Sequence, residues 1–132
     1  MKNLKLVLIA AFTSCISVSF AQTKNVLFIG NSYTGVNNLP LLTYNLALSL
    51  GDTIDYDSNT PGGYTYQGHS TNATSLAKIA QVNWDFVVLQ EQSQKPSFPP
   101  SQVATEVYPY AQILVDSIKS ANACAELLFY MT

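Results

Sequence analysis

Strand-type and helix-type hydrophobic patterns alternate along this chain, and the alternation leaves few folds open to it. Val26-Leu27-Phe28-Ile29 is a continuous apolar run of mostly strand-favouring residues that breaks at Gly30-Asn31-Ser32, as a strand buried on both faces does. Leu39, Leu42, Leu46, Ala47 and Leu50 then recur at helical spacing, with Pro40 in the first turn and Gly51-Asp52 at the end. Residues 53–58 alternate, with Ile54 and Tyr56 on one face and acids on the other, which suits a strand near a sheet edge. Thr74 or Ser75 caps a short helix through Leu76, Ile79 and Ala80, closed by Asn83, and residues 85–90 form a third, continuous strand. After a Pro-rich loop over 91–100, Val103, Val107, Tyr110, Ala111, Leu114 and Ile118 make one broad stripe of a long helix that Pro109 kinks. Residues 126–131 are a fourth strand. Such an order predicts a three-layer α/β/α sandwich around a parallel sheet.

Residues 1–21 stand apart from that fold. Lys2 and Lys5 precede an apolar run over 6–18, and Ser19-Phe20-Ala21 offers small residues for cleavage, which predicts a secretory signal peptide. The run is too short for a membrane span, and Phe12-Thr13-Ser14-Cys15 departs from a lipoprotein cleavage site. The expectation is one secreted or periplasmic domain over 22–132, without stable membrane insertion. Losing Lys2 and Lys5 leaves acids in excess, so nucleic acid is not an expected partner. Cys15 departs with the leader and Cys124 remains alone, which excludes an internal disulfide. One histidine and one remaining cysteine do not furnish a metal site, and no cofactor is expected.

The break after the first strand lifts Ser32 to the carboxyl edge of the sheet, where open α/β folds bind ligands. Ordinary turn chemistry explains Gly-Asn-Ser equally well. Ile29-Gly30-Asn31-Ser32-Tyr33-Thr34 resembles the first block of the SGNH (GDSL-type) hydrolases, with Asn31 where the commoner motif has Asp. The resemblance implies a flavodoxin-like topology and Ser32 as nucleophile. Gly63, in Pro61-Gly62-Gly63-Tyr64, matches the family's second block, a Gly after the second strand. The third block, an Asn after the third strand, aligns with Gln94, and its preceding Gly with Gln92. The oxyanion hole so implied combines the Ser32 N–H, Gly63 and an amide from Gln90, Gln92 or Gln94. Asn31, Tyr64 and His69 are candidates for substrate contact. The family's base belongs to an Asp-x-x-His block, and none occurs in these 132 residues; His69, the single histidine, comes from a different place in the order.

The function expected from this resemblance is hydrolysis of carboxylic esters, with O-acetyl groups on carbohydrates the first substrate class, since Tyr33, Tyr64, Tyr66 and Phe98 fall in the predicted edge loops. Two other readings stay open: a flavodoxin-like protein holding a phosphate or cofactor on the loop after the first strand, and a non-catalytic carbohydrate-binding module. With no helix behind residues 126–131 and no Asp-x-x-His block, the expectation is a chain that is incomplete at its C-terminus. A further helix, a fifth strand and a last helix would follow.

Overall fold

The computed structural model describes residues 22–81 and 83–132, so the predicted leader lies outside the described residues. Four strands, β1 (Lys24–Ile29), β2 (Ile54–Asn59), β3 (Phe86–Leu89) and β4 (Glu126–Phe129), form one parallel sheet in the order β2-β1-β3-β4. β1 is central, paired with β2 from Lys24↔Ile54 to Ile29↔Asn59 and with β3 from Val26↔Phe86 to Ile29↔Leu89. Strand order reverses between β1 and β3, and the loops leaving their carboxyl ends therefore splay apart there.

The pleat divides the core between two faces. Leu27, Ile29, Val87 and Leu89 pack with Ile79, Trp84, Val103, Val107, Leu114 and Ile118, which come from α4 (Ala73–Ile79), the segment before β3, α5 (Pro100–Glu106), α6 (Tyr108–Ala121) and the residue joining those last two helices. Val26 and Phe28 face the other way, with Ile54 and the half-buried Tyr44, Ala47, Tyr56, Phe86 and Val88. The stripe predicted on the long helix is the buried one, and Leu114 and Ile118 are shut off from solvent. Each such side chain contributes about 1.5–3 kcal/mol by burial. The α/β sandwich read from the sequence is thus the observed fold.

Several local expectations are corrected. The long helix is two helices, broken at Val107 (φ −117°, ψ −58°) because Pro109 has no N–H to continue the ladder. Tyr66, expected in an edge loop, opens α3 (Tyr66–Thr71), a helix not anticipated from the sequence, and the next helix starts from Asn72, whose side chain accepts the Ser75 N–H at 2.9 Å. Ser75 is a buried interior residue, not a cap. On α2 (Leu39–Ser49) only part of the stripe is the buried face: Ala47 packs on the sheet and Leu39 is half-buried, but Leu42, Leu46 and Leu50 are exposed, and Pro40 and Tyr44 complete the inward face. That helix carries leucine on every side, so its periodicity did not single out the face. Among the described residues no helix is long and apolar enough to cross a membrane.

Candidate active site

The turn after β1 is fixed by the side chains of His69 and Gln90 and by the backbone carbonyls of Asn59 and Tyr64. Gly30 extends the ladder by one step, its N–H donating to the Asn59 carbonyl at 3.1 Å, while its own carbonyl accepts from His69 Nε2 at 2.8 Å. A Cβ at position 30 would stand 2.6 Å from Thr34 Oγ1 and 2.8 Å from Gln90 Oε1, so only glycine lets those groups close in. Gln90 Oε1 accepts the Asn31 N–H at 2.9 Å and the Thr34 hydroxyl at 3.0 Å, and its Nε2 donates to the Glu91 carbonyl. Asn31 uses both ends of its amide: Oδ1 accepts the Tyr33 N–H at 3.1 Å, capping α1 (Ser32–Gly35), and Nδ2 donates to the Tyr64 carbonyl at 2.8 Å. The second bond ties the Gly63-Tyr64 turn to the serine turn. Asn31, Thr34, His69 and Gln90 are all buried.

Ser32 is treated differently. Among the described residues neither its N–H nor its hydroxyl has a hydrogen-bond partner in the protein, and with Tyr33, Val36 and Asn37 it lines an open depression of about 340 Å³. Gly63 is exposed with φ +73°, a conformation natural to glycine, and its N–H is likewise without a partner among the described residues. Gln92 is occupied locally, its Oε1 accepting the N–H groups of Gln94 (2.9 Å) and Lys95 (3.3 Å) at the start of the 3₁₀ turn Lys95–Ser97. Gln94 is exposed, and its side-chain amide makes no hydrogen bond among the described residues. No hydrogen bond joins Ser32 to Gly63, Gln92 or Gln94.

Two of the predicted substrate contacts are buried. Asn31 is 1% exposed and His69 0%, and every polar atom of both side chains is engaged inside the protein. Their placement makes them supports of the turn. Tyr64 is half-buried, and Tyr33, exposed beside Ser32, is the aromatic face that the site presents to solvent. Tyr66 belongs to the core: its hydroxyl donates to the Leu89 carbonyl at 3.2 Å, and burial, helped by nearby Glu91, pushes its phenol well above the ordinary range. Glu91 is buried and accepts the N–H groups of Tyr66 (3.1 Å) and Gln92 (2.6 Å). Burial raises its pKa, opposed by those bonds and by Lys95.

Of the three glutamines that the sequence offers after the third strand, Gln90 is the buried one. Its signal was position: it directly follows Leu89, and its N–H donates to the Ile29 carbonyl at 2.9 Å, so β3's register carries it beneath the serine turn. Among the described residues no cluster of three or more His, Cys, Asp or Glu side chains stands close enough to hold a metal ion. Comparison with known proteins gave no matching family model and no matching curated protein.

Proposed function

We propose that this protein is a secreted serine hydrolase of the SGNH type that cleaves carboxylic esters through Ser32. One observation carries the reading. At the point where strand order reverses, buried side chains engage the polar groups on either side of Ser32, while the serine's own N–H and hydroxyl face an open depression unengaged. A turn held on both sides with one hydroxyl left over is what a preorganised nucleophile requires. The order β2-β1-β3-β4 is compatible with the flavodoxin-like topology that the resemblance implies.

In this scheme Ser32 Oγ attacks the ester carbonyl carbon and loses its proton to a base. The carbonyl oxygen becomes negative and accepts from the N–H groups of Ser32 and Gly63 and from the Gln94 amide. Collapse expels the alcohol, which takes up the proton held by the base, and water, deprotonated by the same base, then releases the acid from the acylated serine. His69 is not placed to be that base, since both of its ring nitrogens are engaged inside the protein. Tyr33, exposed beside Ser32, supports a carbohydrate ester as substrate, since an aromatic face stacks on a sugar ring.

The test is turnover of p-nitrophenyl acetate and of an acetylated oligosaccharide by the full-length protein and by Ser32→Ala. Loss of both activities in the variant at unchanged thermal stability is expected. Equal turnover by the variant would end the hydrolase reading. Oligosaccharide binding without turnover by either protein would favour the carbohydrate-binding alternative, and flavin or phosphate binding the cofactor-binding one.

A further inference from the structure

His69 has no part in the chemistry just described, yet it is fully buried between the two turns whose N–H groups that chemistry uses. Its Nε2 lies 2.8 Å from the Gly30 carbonyl, two residues before Ser32. A carbonyl only accepts, so Nε2 carries the proton and Nδ1, 2.7 Å from Ser75 Oγ, is the acceptor. Ser75 in turn accepts from Asn59 Nδ2 at 2.8 Å, and Asn59 Nδ2 also reaches Asn72 Oδ1 at 3.1 Å. The chain of bonds therefore runs from the end of β2 through α4 and α3 to the serine turn. On its other side the imidazole packs against Tyr64, ring centroids 5.1 Å apart, and the Tyr64 carbonyl is the group that Asn31 holds.

We propose that His69 is a positioning residue: its Nε2–H grips the Gly30 carbonyl while its ring braces Tyr64, which sets the separation of the Ser32 and Gly63 N–H groups without touching substrate. The inference rests on the reading of Ser32 as nucleophile. Donors and nucleophile act together only when their spacing is right, and a misplacement of order 1 Å costs roughly 10²-fold in rate. A residue acting this way alters kcat and leaves KM nearly unchanged, because the substrate's own contacts survive. It also differs from a base in what can replace it. A glutamine, which keeps an N–H donor but cannot take up a proton, substitutes for a positioning histidine and not for a base.

The experiment has two arms on the full-length protein. In the first, a long-range ¹H–¹⁵N spectrum near neutral pH, assigned by the resonance lost in His69→Gln, reads the tautomer, and protonated Nε2 with bare Nδ1 is expected. In the second, ester turnover is compared for wild type, His69→Ala and His69→Gln. The alanine variant is expected to lose roughly 10- to 100-fold in kcat with KM within about twofold, and the glutamine variant to recover most of it with the wild-type pH profile. If His69→Ala does not fold, Ser75→Ala replaces it, and a fall in kcat at constant KM is again expected because Nδ1 has lost its fixed donor. A protonated Nδ1, wild-type kcat in the alanine or Ser75 variant, or a glutamine variant as slow as alanine with a flattened pH profile would each overturn the inference. Absence of ester turnover in wild type with Nε2 protonated would instead sink the Ser32 reading and the catalytic part of this inference with it, whereas protonated Nδ1 in an active enzyme would sink this inference alone.

Discussion

The held part of the site and its unheld part lie within a few residues of each other and are built by opposite rules. Gly30, Asn31 and Thr34 are buried, and partners reach them from β2, β3 and α3, so their positions are set by the whole fold. Ser32, Gly63 and Gln94 lie outside that web, at least partly exposed, and among the described residues the groups that the proposed mechanism would use are unengaged. The difference teaches where each residue's cost of mutation should appear. Removing a held group leaves a buried donor unsatisfied and costs stability, whereas removing an unheld one costs only the reaction.

Gln94→Ala sharpens the contrast most, because it should slow kcat by roughly 10²- to 10³-fold, the usual loss for one oxyanion donor, with no shift in melting temperature. Steady-state kinetics beside a thermal melt would check both halves. The same loss in Gln92→Ala in place of Gln94→Ala would move the donor two residues back, onto a side chain whose oxygen already caps the 3₁₀ turn. Gln90→Ala is the matching change on the held side. It strands the buried Asn31 N–H and the Thr34 hydroxyl, and a loss of about 2–3 kcal/mol in urea unfolding is expected. A variant as stable as wild type would break the distinction.

Gly30→Ala comes next, at about 1–2 kcal/mol, since its Cβ would collide with Thr34 Oγ1 and Gln90 Oε1 and push the clamp open. Calorimetry and turnover should fall together here, unlike at Gln94. The smallest effect is a pH dependence. Burial holds the His69 pKa below its ordinary 6.5, against the pull of the Gly30 bond. As pH falls through 6.5 the unfolded chain takes up a proton that the folded one refuses, so stability present above 6.5 is lost on the way down to the folded pKa. The slope is at most about 1.4 kcal/mol per pH unit. Glu91 acts in the opposite sense: burial raises its pKa above 4.5, so its contribution is full below 4.5 and is lost as pH rises through the folded value. Melting temperature against pH for wild type and His69→Gln isolates the histidine, and the variant should lose less stability just below pH 6.5.

Much of the fold was legible because the signals were local. The continuous runs of β1 and β3, the alternation of Ile54 and Tyr56, and the stripe from Val103 to Ile118 each state their environment within one element. The helix over Tyr66–Thr71 was hidden because its anchors are distant or unremarkable in sequence: Thr65 Oγ1 caps Gly68, and the Glu91 carboxylate accepts the Tyr66 N–H. The site divides along the same line. Ser32 was found from the break after β1, but whether Asn31 and His69 face substrate or the interior depends on Tyr64, Gly30 and Ser75, which the chain brings to them from up to 39 residues away. That Gln90 is the glutamine buried beneath the serine turn required the strand's register, which composition does not contain.

Covalent labelling tests the central claim most directly. Full-length protein treated with a fluorophosphonate, digested and mapped by mass spectrometry, should carry the adduct on Ser32 alone, and Ser32→Ala, folded to the same melting temperature, should carry none. An adduct on another residue, retained labelling in the variant, or an unlabelled wild-type protein that nonetheless hydrolyses ester would contradict the account.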